Sequence, residues 1–195
     1  MMLFPKVLLP LKGRLDARKG PGAVRAYVDK TARQLAARAA REELETEKAL
    51  EKTRQDAARC LAERKRALEQ LAVLPAPREP DSTEAIRANR RDKAERERLR
   101  AVLAACGDAI VRDSGVLNDA QARLSAQLAG LYAQTGERLA LYVMGVRSGP
   151  DMKDFEYERP EDWAAPDICP EKHRTLDEEI RRVAEELLLE GKEAA

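Results

Sequence analysis

Leu117, Leu124, Leu128, Leu131, Thr135, Leu139 and Tyr142 fall at steps of three, four or seven, the spacing of one face of an α-helix. Upstream, Ala23 to Val73 contains neither proline nor glycine, so one helix can run its whole length. At ~1.5 Å per residue it would reach roughly 75 Å, and a helix that long needs a partner. The break that follows, Leu74-Pro75-Ala76-Pro77-Arg78-Glu79-Pro80, is succeeded by Asp81 and Glu84 at capping-box spacing, where a second helix starts. That helix is expected to pause at Asp113-Ser114-Gly115 and resume through Met144. A short connection makes the two arms antiparallel neighbours.

A turn midway between Val73 and Thr83 sets a register in which Asp56 faces Arg100, Arg59 faces Glu97, Glu63 faces Lys93 and Glu69 faces Arg87, while Lys65 meets Arg91 and Arg66 meets Arg90 as like charges. Positions 56, 59 and 63 then flank the seam as charged edge positions of a coiled coil do. In that register Cys60 and Cys106 lie far apart, and the apolar end of the pair is the open end, away from the turn. Between Arg87 and Arg98 the only apolar residues are Ala88 and Ala94, so the turn end is a thin, solvated arm. Beyond Met144 the helical period stops, and Pro150, Pro160, Pro166 and Pro170 punctuate the chain. Thr175-Leu176-Asp177-Glu178 reads as a further capping box, opening a stripe of Leu176, Ile180, Val183 and Leu187.

The expected architecture is therefore all-α: a long antiparallel helical hairpin, coiled-coil-like, between two irregular ends. Residues 1–22 form an irregular apolar and basic segment, and 23–144 the hairpin with its turn at 74–82. Residues 145–175 form an extended acidic linker, and 176–190 a short amphipathic helix that packs either on the hairpin or on another protein.

Composition agrees: 44% of the 195 residues are hydrophobic and 36% charged, but only 4% are aromatic, which suits long surface-laced helices. The net charge of +1 gives no global case for nucleic acid, yet the distribution is uneven. Residues 1–149 carry 29 basic and 20 acidic side chains, and residues 150–195 carry 7 and 15. Three cysteines are too few for a disulfide scaffold and point to an intracellular reducing compartment. The expected location is cytoplasmic, or mitochondrial if the acid-poor, Arg-containing stretch to Arg41 is an import segment. No apolar run approaches the ~20 residues that a transmembrane helix needs.

Candidate chemistry is sparse. With His173 the single histidine, a His pair on a metal is excluded, and Cys169 and His173 alone close no zinc site, so neither metal nor cofactor is expected. Gly145-Val146-Arg147-Ser148-Gly149 lacks the lysine of a phosphate loop, and Glu42, Glu43, Glu45 and Glu47 read as a solubilising face. No nucleophile, base and oxyanion set emerges, so the chain reads as a non-enzyme. Arg87, Arg90, Arg91 and Lys93 are the candidate phosphate contacts of a nucleic-acid-binding alternative. They surround the helix among Asp92, Glu95 and Glu97, with no aromatic for base stacking. Three of the seven aromatics, Phe155, Tyr157 and Trp163, crowd into nine residues of the acidic segment. They serve either as anchors on a partner or as caps on the hairpin's own apolar base. Together with Leu176, Ile180, Val183 and Leu187 they are the candidate partner-binding residues. The function expected is a structural or accessory subunit of a larger protein assembly, with a self-associating homo-oligomeric coiled coil as a further alternative.

Overall fold

The computed structural model describes residues 5–149, 151–158, 160 and 171–193. It is all-α, with no strand among the described residues. A 3-10 turn over Lys6–Leu8 leads into α1 (Leu9–Lys19), followed by α2 (Pro21–Val73), α3 (Thr83–Arg147) and α4 (Glu171–Glu193).

Several local expectations are corrected. Lys6 to Lys19 is helical rather than irregular, because Pro10 falls in the first turn of α1, where a missing N–H costs nothing. The break after α1 is a single residue: Gly20 adopts φ 104°, and Pro21 already opens α2. No pause occurs at residues 113–115. α3 continues for 65 residues, because Ile110 and Leu117 on either side are buried in one cluster that holds the intervening turn helical. The cap of α3 is Ser82, whose Oγ accepts from the Ala85 N–H at 3.1 Å, not Asp81. α4 begins at Glu171, so Thr175 and Glu178 lie within the helix rather than at its start, and Asp177 between them serves a tertiary contact.

Tertiary contacts divide the chain into two compact units, each drawing on both long helices. The first contains the chain through Thr46 and the stretch from Gln121 to Pro160. Its core joins Leu9 and Ala17 of α1, Val24 of α2 and Tyr142, Val143 and Val146 of α3, with Met152. A second cluster joins Ala39 to Leu124 and Leu128. α1 lies directly on the backbone of α3. A Cβ at Gly13 would collide with the Tyr142 carbonyl, and one at Gly145 with the Pro10 carbonyl, so glycine is required at both. After α3 the chain turns at Asp151, which takes φ 58°, and the Arg147 guanidinium donates to the Phe155 carbonyl at 3.0 and 3.2 Å. This turn lays Met152, Phe155 and Tyr157 onto the core.

The second unit contains Glu47–Ala120 and α4. Leu50 and Ala57 of α2, Ile110 and Leu117 of α3, and Ile180, Val183 and Ala184 of α4 form its core. The expected register does not hold: Cys106 lies beside Glu63, with Sγ–Oε2 at 3.7 Å, rather than beside residue 50. The reason is the connection, which doubles back along α3 instead of reversing symmetrically. Asn89 exchanges hydrogen bonds with the backbone of Arg78 at 2.9 and 2.8 Å, and Arg96 donates to the Pro75 carbonyl. Arg59 accordingly pairs with Asp56, not with Glu97.

α4 is fastened by buried charge as well as by its stripe. Arg54 donates to both carboxylate oxygens of Asp177 at 2.8 and 2.9 Å and to Glu47 at 2.9 and 3.2 Å. His173 Nε2 lies 3.6 Å from the same Glu47. The hydrogen bonds from Arg54 to Asp177 hold the guanidinium's pKa even higher than usual, despite burial. The Arg54 and Asp177 side chains are 5% and 3% exposed, so removing one leaves the other charged and dehydrated. Asp177→Ala is expected to destabilise this unit by about 3–5 kcal/mol in chemical denaturation and to expose α4 to limited proteolysis. Gly115 gives the opposite case: nothing lies within 4 Å of the Cβ it lacks. Gly115→Ala is expected to stabilise the protein by up to ~1 kcal/mol, read as a raised thermal midpoint.

Candidate functional site

The richest arrangement of polar and aromatic groups lies in the first unit, where α1, α2 and α3 meet. Asp16 is buried on the inner side of α1, and three donors converge on its carboxylate: Lys12 Nζ at 2.6 Å, Lys19 Nζ at 3.2 Å and the Tyr142 hydroxyl at 3.1 Å. Tyr142 stacks on Tyr27 with ring centroids 4.0 Å apart, and Lys12 Nζ stands 4.7 Å from the Tyr27 centroid. Burial pushes the Asp16 pKa upward, but the hydrogen bonds from Lys12, Lys19 and Tyr142 outweigh it and hold the carboxyl below its ordinary value. Burial, reinforced by the Asp16 charge, raises the Tyr142 hydroxyl well above the usual tyrosine value. Ground-state groups this fully satisfied make a rigid wall.

Beside that wall runs a half-open groove of about 870 Å³, within the size range of ligand clefts. Its floor and rim follow one stripe of α2, through Ala23, Ala26, Tyr27, Lys30, Gln34, Ala37, Arg38 and Arg41, at helical steps of three and four with adjacent pairs at 26–27 and 37–38. The stripe covers about five turns, or roughly 27 Å. Leu35 closes the bottom, and Thr135 and Arg138 of α3 form the far side. Lys30, Arg38 and Arg41 are exposed on the rim and make no ion pair among the described residues. Nothing in the α2 sequence distinguishes this stripe from an ordinary solvated face. The signal is tertiary, because no described helix covers the stripe.

The partner-binding residues expected from sequence occupy other places. Phe155 and Tyr157 are half-buried against the core of the first unit; Trp163 lies outside the described residues. Leu176, Ile180, Val183 and Leu187 pack into the cluster of the second unit, because Asp177 on the same helix is fixed by Arg54. Arg87, Arg90, Arg91 and Lys93 are all exposed on α3, where Lys93 approaches Glu97 at 4.0 Å. Cys169 lies outside the described residues. Cys60 and Cys106, expected apart, are neighbours: burial, the Cys60 thiol and Glu63 together push the Cys106 thiol up to about 11.

Comparison with protein-family models, with curated proteins and with solved structures finds no match.

The Asp16 network links stability to pH. A carboxyl whose folded pKa is depressed contributes stability above its unfolded value, and that contribution is lost as pH falls through the folded value. The wild type should therefore lose stability as pH falls below about 4. Asp16→Ala should flatten this dependence and cost about 1–3 kcal/mol near neutrality, since the buried Tyr142 hydroxyl loses its acceptor. Denaturant titrations of both proteins between pH 3 and 7 check this.

Proposed function

We propose that this protein is a non-catalytic accessory subunit that docks an acidic amphipathic helix of a partner protein in the groove of the first unit. In this reading α2 and α3 pair as a long antiparallel hairpin, and the groove lies on its open end. The observation that carries the reading is the uncovered stripe of α2, in which Ala23, Ala26 and Ala37 stand with Lys30, Arg38 and Arg41. Ala23 and Ala26 near one end of the stripe and Ala37 near the other permit close approach of another helix there, as in groove recognition of an amphipathic segment. The rim cations select for carboxylates along that segment's flanks.

The groove favours protein over nucleic acid because its one floor aromatic is already engaged. Tyr27 is stacked on Tyr142 and faced by Lys12, which leaves no free ring for a base. The exposed arm from Arg87 to Lys93 interleaves its cations with acids and supplies no aromatic surface.

Fluorescence anisotropy with two synthetic amphipathic helices of equal hydrophobicity, one flanked by Glu and one by Lys, tests the proposal. The Glu peptide is expected to bind and the Lys peptide not to. The combined Lys30→Glu, Arg38→Glu, Arg41→Glu variant should lose at least ~10-fold for the Glu peptide, as rim charges steer and select more than they anchor. Unchanged affinity in that variant, or preferential binding of a single-stranded oligonucleotide at the same positions, would overturn the reading.

A further inference from the structure

α1 has a second face. Leu9, Gly13, Asp16 and Ala17 are buried, whereas Leu11 and Leu15 point the other way and are 54% and 48% exposed. The preceding 3-10 turn extends the exposed apolar surface with Val7 at 86% and Leu8 at 41%. Elsewhere in the first unit, exposed large apolar residues occur singly, as at Leu44 and Met144. Four in nine consecutive residues form a patch, and such a patch on a folded domain marks a contact surface.

Charge identifies the occupant. Arg14 and Arg18 border the apolar strip on one side and Lys19 on the other, and all three are exposed. The only carboxylate in α1, Asp16, faces inward. Arg14 donates to the neutral Ser148 hydroxyl at 2.9 Å and keeps its full charge, and Arg18 makes no ion pair among the described residues. Val7, Leu8, Leu11 and Leu15 make the strip wholly aliphatic among the described residues. An apolar ridge bordered by cations, whose one neighbouring exposed acid, Glu137 of α3, is paired with Lys6 at 2.6 Å, has the character of a helix lying in a membrane interface. No described helix is long and apolar enough to cross a membrane, so any such contact is in-plane.

We infer that α1 is a membrane-surface contact, seating Val7, Leu8, Leu11 and Leu15 among the acyl chains of an anionic bilayer while Arg14, Arg18 and Lys19 meet its headgroups. The glycine contact with α3 holds α1 rigidly, so the face is presented ready-made and no folding on binding is required. The groove takes Lys12 and Asp16 from α1, so Val7, Leu8, Leu11 and Leu15 are not part of its lining.

Sedimentation of the full chain with phosphatidylcholine vesicles, with and without about 30% phosphatidylserine, tests the inference. The protein is expected to pellet with the anionic vesicles only, and less so as salt rises. Leu11→Glu with Leu15→Glu, at exposed positions that leave the fold and its circular dichroism intact, should abolish pelleting. Arg14→Glu with Arg18→Glu should weaken it by about fivefold or more per charge. The groove variant at Lys30, Arg38 and Arg41 should still pellet, which separates this inference from the proposed function. Any of three results overturns it: no binding to anionic vesicles, binding that survives both α1 variants, or loss of binding confined to the groove variant. Dimerisation by light scattering that the leucine variant abolishes, in a protein that ignores vesicles, would assign the ridge to a second copy of the chain instead.

Discussion

One apolar stripe on one helix supports both units. α3 carries Ile110 and Leu117 into the core of the second unit, then Leu124, Leu128, Tyr142, Val143 and Val146 into the clusters of the first. The other elements cover parts of that stripe. α2 supplies Val24 and Leu50 to it beside Ala39 and Ala57, so part of its contribution is small side chains with little apolar area. Each unit then makes up the deficit differently. In the first, α1 and the segment after α3 add Leu9, Met152, Phe155 and Tyr157; in the second, α4 adds its own stripe and a buried charge network.

The elements legible in the sequence were those governed by local rules. Long helices free of proline and glycine, a proline-rich connection and an amphipathic C-terminal stripe all follow from periodicity and backbone chemistry. What was not legible depended on tertiary geometry. The register could not be read because Asn89 and Arg96 bind back to the connection, an interaction that no charge pattern along the arms reveals. The same displacement brings Cys60 beside Cys106. The helicity of α1 was hidden by its prolines, although Pro10 falls at the one helical position where proline is harmless. The partner-binding reading of Leu176 and Ile180 missed Arg54, a single basic residue in a helix crowded with them, whose burial sets it apart.

The site illustrates the same division. Asp16, Lys12, Tyr27 and Tyr142 come from three helices, with Asp16 and Tyr142 126 positions apart, so no motif announces them. Once assembled, they satisfy one another and leave a wall whose value is stiffness. The groove beside it and the ridge on the far side of α1 are the surfaces that stay uncommitted, and α1 contributes to both. An 11-residue helix pressed onto α3 by two glycines thus has an inner face made of backbone contact and an outer face made of side chains.

The bond between Arg54 and Asp177 spans 123 positions, and that distance has a consequence for synthesis. At about 5–20 residues per second, roughly 6–25 s pass between the appearance of the arginine and that of its carboxylate partner. Throughout that interval the guanidinium has only Glu47 for company, and Ile110 and Leu117 lack the α4 stripe that finally covers them. The second unit therefore reaches its native packing only after the last helix is made, although most of its residues emerge early. A nascent chain of this kind keeps an apolar, charged seam open to solvent for many seconds. Truncation before residue 177 would leave that seam permanently unsealed, a condition that cellular quality control is equipped to detect.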